Sequence, residues 1–357
     1  MKQNRQEIEK AVGHIFQPGK LVDITEPVNL IKNKWGLYNS LGLFKPEYDT
    51  QKVVELSRTH ETVSILEDVQ WDGRKPTLPG VNHDYSLFKI PHFPVQDMIT
   101  PQDLDGNIDI DALMRGEIST PLTLQKVMYE KLERIRRAAS LTLEFARAQV
   151  IRDGTVYAPN GTVVTNYYTE FGVTRDVINL DLNNITVNPF GKMDEVYGAV
   201  QDSVMDGDIY SDIVALCSPQ FFQALVSNPY VVEAFAAFQQ PQSVDILNQR
   251  LGTVAPLDGR YRVFHYGGIE FIEVRGGVGG QPYVTPGEAY VFPRGTSSFR
   301  THYAPANKFA SVNQTAQELY LFSSTGEKDD KIELEGETNF MNSCVRPQII
   351  KTLTMNP

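Results

Sequence analysis

The sequence predicts an α+β fold: one long helix braces a strand-rich body, and a compact α/β unit is inserted within that body. Three observations predict it. An unbroken helical stripe fills residues 119–153, a long hairpin-like segment precedes it, and the texture of the chain changes near residues 177 and 308.

The helix is bounded at both ends. Thr120-Pro121 reads as an N-cap residue followed by proline at the first helical position. No Gly or Pro follows until Gly154, a residue able to turn left-handed and stop a helix. Leu124, Met128, Leu132, Ile135, Ala139, Leu143, Ala146 and Val150 recur in steps of three and four, which places them on one face. At ~1.5 Å per residue the helix is about 50 Å long. Typical helices have roughly 11–12 residues, so this one is a strut.

Residues 1–52 begin polar and then carry an apolar patch of Leu30, Ile31, Trp35, Leu37, Tyr38, Leu41, Leu43 and Phe44, cut by Pro18, Pro27 and Pro46. They read as an arm with one short anchor, too interrupted to bury a core alone. Residues 53–71 are rich in Val, Thr and Ile and end at Trp71. A turn-rich tip at 72–80 carries Arg74, Lys75 and Leu78, and partial alternation follows over 81–90. This is a two-stranded hairpin, and such a hairpin is marginal by itself in water. The reading for residues 53–98 is that their own subunit offers no adequate resting place, so a neighbouring subunit supplies it.

After the strut, Pro159-Asn160-Gly161 marks a tight hairpin between two short strands. From about Asp194 helix and strand alternate. Residues 195–205 have helical period, residues 213–217 form a buried strand, and Ser218-Pro219 and Asn228-Pro229 start two helices. Residues 261–266 and 269–274 pair around Gly267-Gly268, residues 276–280 read as a mobile glycine loop, and residues 289–292 form another buried strand. Beyond residue 308, strands at 319–322 and 331–334 flank a polar turn, and a last strand runs over 348–353. These late strands are expected to return to the strut. The implied organisation is an arm at 1–52, a hairpin at 53–98, a helix-bearing domain at 99–176 plus 308–357, and an α/β domain at 177–307.

Composition narrows function mainly by exclusion. The chain has 357 residues, 41% hydrophobic and 22% charged, with a formal net charge of −11. That balance argues against a protein that grips nucleic acid through phosphates. No apolar run of about 18 residues could span a membrane, and the polar N-terminus shows no signal peptide. Cys217 and Cys344 read as small buried hydrophobes in a reducing compartment.

No catalytic constellation emerges, and no cofactor or metal is expected. His60-Glu61 opens like a zinc-protease motif, but Ser64 stands where the second histidine belongs. The glycine run at 276–280 lacks the Lys-Ser/Thr of a phosphate cradle. Lys131, Arg134, Arg136 and Arg137 read as a solvated or interface helix face laced by Glu130 and Glu133 at i,i+4. Asp329, Asp330, Glu333, Glu335 and Glu337 form the most acidic cluster. It is either a solvated hairpin or a dock for basic residues such as Arg74 and Lys75 of another subunit.

The order of arm, long hairpin, strut helix, inserted α/β domain and strand-rich return resembles the tailed-phage major capsid protein, the HK97-like fold. The likeness is closest to the lambda-type head protein, the major capsid protein E family. Ala289-Tyr290-Val291-Phe292-Pro293, with Phe299-Arg300-Thr301 just after, carries that likeness most strongly. The resemblance implies a non-enzymatic protein that self-assembles as pentamers and hexamers into an icosahedral shell around double-stranded DNA. Residues 53–98 would be the E-loop, 119–153 the spine helix of the peripheral domain and 177–307 the axial domain. It also implies a portal, a scaffolding protein supplied as a separate chain, and a decoration or cement protein. The location implied is the virion capsid, reached from the host bacterial cytoplasm. Candidate inter-subunit contacts are Trp35, Phe44, Trp71, Arg74, Lys75, Leu78, Asp329, Asp330 and Glu333. Competing readings are an encapsulin-like compartment shell, a soluble α/β enzyme with its site in 177–307, and a monomeric binding module.

Overall fold

The computed structural model describes residues 22–23, 36–60, 82–105, 120–157, 162–184, 186–204, 208–237, 261–325 and 331–356. The long helix is Thr120–Asp153, 34 residues. Leu124, Val127, Met128, Leu132 and Ile135 of its first half are buried against Ile99, Leu319, Leu321 and Leu334. Gly154 ends the helix at φ 66°. The Arg175 guanidinium closes that end, donating to the carbonyl oxygens of Ile151 at 2.7 Å and of Arg152. Those carbonyls lack partners within a helix, and a cation at a helix C-terminus also meets the negative end of its dipole.

The first sheet is organised by one strand, Ile332–Cys344. Its residues 332–337 pair antiparallel with Tyr320–Thr325, residues 332–339 with His92–Ile99, and residues 340–344 with Phe299–Tyr303. Lys45–Tyr48 lies parallel to Phe299–Tyr303, and Val22–Asp23 pairs with Tyr320–Thr325. Gly336 lets the helix and sheet approach closely. A Cβ there would stand 2.6 Å from Val95 Cγ1 and 2.9 Å from Ile135 Cγ2.

The second sheet runs Val263–Tyr266, Ile269–Glu273, Asp212–Cys217, Glu288–Arg294, Lys351–Thr354, Val177–Asn179. Strand side chains alternate between faces, and both faces here are buried. Ile213, Ala215, Cys217, Ala289 and Val291 pack on Met193, Val196, Phe221, Phe222 and Leu225 of the covering helices Phe190–Ser203 and Pro219–Ser227. Val214, Leu216, Tyr290 and Phe292 face the other way, into a core shared with Ala148, Val150 and Ile151 of the long helix. Ser218 Oγ accepts from the Phe221 amide at 3.3 Å, and Asn228 Oδ1 from the Tyr230 amide at 3.1 Å, so both proline-started helices carry the predicted caps. Gly267 and Gly268, at φ 59° and 78°, make the predicted tight turn.

Four expectations need correction. The final run meets the strut through Ile349 and Ile350, which share a core with Ala148, Val150 and Ile151, but its strand joins the second sheet. Lys351–Thr354 lies between Glu288–Arg294 and Val177–Asn179, with Leu353 buried under the helices of the second sheet. The strand Phe299–Tyr303, in turn, joins the first sheet. The glycine stretch at 276–280 is an ordered hairpin, Gly277–Val278 paired with Gln281–Pro282. Arg152 donates to the Pro282 carbonyl at 2.5 Å and the Gln149 amide to Gln281 Oε1 at 3.1 Å, seating it on the long helix. Arg136 is not on a solvated face: it is buried and ion-paired with Glu318 at 3.0 Å. Lastly, residues 53–98 do rest partly on their own subunit. The hairpin strands are Val53–His60 and Asn82–Lys89, and Val54, Leu56, Phe88 and Ile90 are in the shared core. His92–Ile99 is a full strand of the first sheet.

Candidate functional site: the assembly surface

The arm segment after residue 35 is fastened to the long helix by a polar seam. Arg136, Ser140, Glu144 and Arg147 recur in steps of four, four and three and are all buried. The Glu144 carboxylate accepts from the backbone amides of Tyr38 and Asn39, each at 2.8 Å. Gly36 precedes them at φ 99°, where a Cβ would collide with that carboxylate. Burial pushes the Glu144 carboxyl up to about 7, against the pull of those amides and of Arg147. Arg147 donates to Asn39 Oδ1 at 2.8 Å and to Thr301 Oγ1 at 3.1 Å, and Thr301 donates to Asn342 Oδ1 at 2.7 Å. Buried polar groups must be partnered to be tolerated, and here they bind arm, helix and first sheet into one piece.

Phe44, expected to touch another subunit, lies inside this seam. It is 4% exposed, edge-on to Phe299 at 5.4 Å and under the Arg147 guanidinium at 5.3 Å. It is spent within its own core. Glu333 is half-buried and paired with Lys331 at 2.5 Å. Trp35, Trp71, Arg74, Lys75, Leu78, Asp329 and Asp330 lie outside the described residues, as does the proposed basic–acidic dock.

The hairpin root has two unlike faces. Val54, Leu56 and Phe88 point into the core, whereas Leu87 is 74% and Val53 45% exposed on the opposite face. Beside it lies an open cleft of about 480 Å³ whose lining includes Glu47, Asp49, Glu55, Arg300, His302 and Arg346. His302 Nδ1 sits 3.2 Å from Asp49 and 3.3 Å from Glu47, and its buried Nε2 has no hydrogen-bond partner among the described residues. A nucleophile activated by this histidine would need to reach Nε2, and no described residue does. His60 lies in the strand Val53–His60, and residues 61–64 of the zinc-protease reading lie outside the described residues. Among the described residues no three metal-ligating side chains converge, and no helix is long and apolar enough to cross a membrane.

These sheets, helix and hairpin are matched by known proteins over nearly the full chain. Residues 20–355 match the family phage major capsid protein E. The chain belongs to that family. It is 39% identical over 341 residues to the major capsid protein of Pseudomonas phage KPP10, covering 92% of this chain and 94% of that one. It is 26% identical over 353 residues to the major capsid protein of Salmonella phage Felix O1, again with 92% and 94% covered. A prophage capsid protein from Escherichia coli CFT073 shares the fold at TM-score 0.57 and 11% identity, over 94% of this chain and 99% of that one. As a major capsid protein E family member the chain is a structural component of a tailed-phage virion, a head-shell protein and not an enzyme, with the mixed α+β architecture of HK97-like capsid proteins.

Proposed function

We propose that copies of this chain form pentamers and hexamers that close into an icosahedral wall around packaged double-stranded DNA, with the hairpin of each copy lying on the next. The first sheet and long helix then act as the peripheral domain, the second sheet as the axial domain, and the hairpin as the E-loop. The observation carrying this reading is the hairpin root. One face is locked into the subunit core, and the other leaves Leu87 and Val53 in water with no cover from the described chain. A rooted hairpin that exposes Val53 and Leu87 beside Glu55 and Lys89 on its outer face adds contact area to a repeating head-to-tail interface, and such interfaces generate rings when the rotation closes. The net charge of −11 fits a wall that confines DNA without gripping it. A separate scaffolding chain, a portal and a decoration protein complete the proposed set of partners.

Deleting residues 72–80 tests the hairpin's role. The expected product is a folded subunit, by circular dichroism and melting, that builds no particles under electron microscopy. Particles of normal yield and form would refute it.

A further inference from the structure

The connection between Phe299–Tyr303 and Tyr320–Thr325 carries a feature that neither the core nor the hairpin explains. Phe309 and Val312, on the short turn Phe309–Ser311 and the residue after it, are 102% and 58% exposed. An exposed phenylalanine on a loose loop would mean little. This loop is clamped at its base. The Asn307 amide donates to Glu337 Oε1 at 2.8 Å, and Asn339 Nδ2 donates to the Pro305 carbonyl at 3.1 Å. Lys308 Nζ pairs with Glu335 at 2.5 Å and lies 5.4 Å from the centre of the Phe322 ring. On the far side the Ala316 amide donates to the Asp49 carbonyl at 3.1 Å. Within the turn, the Ser311 amide donates to the Lys308 carbonyl at 3.0 Å and the Gln314 amide to the Ser311 carbonyl at 3.2 Å.

Composition points the same way. The eight residues 309–316 hold no charged side chain, in a chain that is 22% charged. Phe309, Ala310 and Val312 are exposed, and the exposed polar residues Asn313, Gln314 and Thr315 follow them in the chain. Exposed apolar side chains beside uncharged polar ones suit the core of a protein–protein contact, which is depleted in charge and enriched in aromatics, and a rigid aromatic anchor loses little freedom when it is buried.

We infer that the Phe309–Val312 knob is an assembly contact that seats in the surface of a second copy of this chain. The inference rests on the shell reading, in which a subunit's neighbours are copies of itself. Charge supports that occupant. Two molecules each carrying −11 repel one another, and an uncharged projecting knob is where their approach costs least.

The test uses the full chain with wild type alongside. Phe309→Asp should leave circular dichroism and melting unchanged, because the side chain is fully exposed and packs on none of the described residues. Particle yield by sedimentation and electron microscopy should fall about tenfold or more, as for loss of a central interface anchor. A second variant gives a direct readout. The native thiols, Cys217 and Cys344, are both buried, so Phe309→Cys supplies an accessible one. Maleimide should label it quickly in free subunits and about tenfold or more slowly in particles, where a buried anchor is shielded from solvent. Normal particle yield from Phe309→Asp, or equal labelling in particles and free subunits, overturns the inference and leaves the shell reading intact. Wild-type chain that builds no particles at any concentration, even with the proposed scaffolding chain supplied, overturns both.

Discussion

Replacing Glu144 with glutamine should change how the subunit's stability depends on pH. The Glu144 carboxyl moves from its ordinary 4.5 to about 7 in the folded chain, because burial disfavours its charge more than the Tyr38 and Asn39 amides and Arg147 favour it. The other titratable groups nearest it are the phenols of Tyr38 and Tyr283, both pushed above their usual range by burial, so neither titrates near neutrality. A carboxyl that holds its proton more tightly when folded contributes stability fully below pH 4.5 and loses it as pH rises through about 7. At about 1.36 kcal/mol per pH unit the whole effect is about 3 kcal/mol, of which about 2.5 kcal/mol falls between pH 5 and pH 8. Glu144→Gln keeps the shape, stays neutral and turns one donor toward the arm amides, which costs a fixed amount at every pH. Urea unfolding of unassembled subunits at pH 5 and pH 8 measures this. The gap between wild type and variant should move by about 2–3 kcal/mol in favour of the variant on going to pH 8. Parallel behaviour, with a gap constant to within about 0.5 kcal/mol, would refute the assignment of a neutral-range carboxyl to this seam.

Two further substitutions probe the frame. Gly336→Ala drives a methyl group against Val95 and Ile135, and should cost about 1–3 kcal/mol of unfolding free energy by the same urea assay; an unchanged midpoint would mean that helix and sheet separate freely there. Arg175→Ala removes the charged donor from the Ile151 and Arg152 carbonyls and the cation stacked 4.6 Å from the Tyr290 ring. It should cost about 2–3 kcal/mol, and amide exchange should quicken first at the C-terminal turn of the long helix.

What could be read from the sequence was whatever the chain settles locally. The long helix was expected at 119–153 and runs Thr120–Asp153, because its stop is Gly154 itself. As helix caps, Ser218 and Asn228 act on amides two or three residues away, and the Gly267-Gly268 pair makes its own turn, so those roles were equally visible. What escaped was set by distant partners. Arg136, Ser140, Glu144 and Arg147 look like a solvated stripe until the arm and Glu318 arrive from more than a hundred residues away. The glycine hairpin at 277–282 is ordered by Gln149 and Arg152, and Thr338, Asn339, Asn342 and Ser343 are polar yet buried, the first two paired with Phe93 and His92 and the last two with Thr301 and Arg300. Phe44 followed the same logic: an aromatic near the arm looked like a contact, and its ring is consumed by Phe299 and Arg147. The exposed Phe309 had a signal in the sequence, the absence of charge over 309–316, which periodicity does not register.

The placement of Lys351–Thr354 has a consequence for how the protein is made. Val177–Asn179 pairs only with that strand in the second sheet, so the emerging polypeptide must carry an unmatched edge until residue 354 clears the ribosome. At about 5–20 residues per second that interval is roughly 10–35 s. In the last part of it, once made, the Glu288–Arg294 strand displays free amides and carbonyls on one side, the sort of edge on which unrelated chains stick. The strand that closes the second sheet is thus made after every other strand in it, and a chain halted before Lys351 would expose the edge most prone to aggregate.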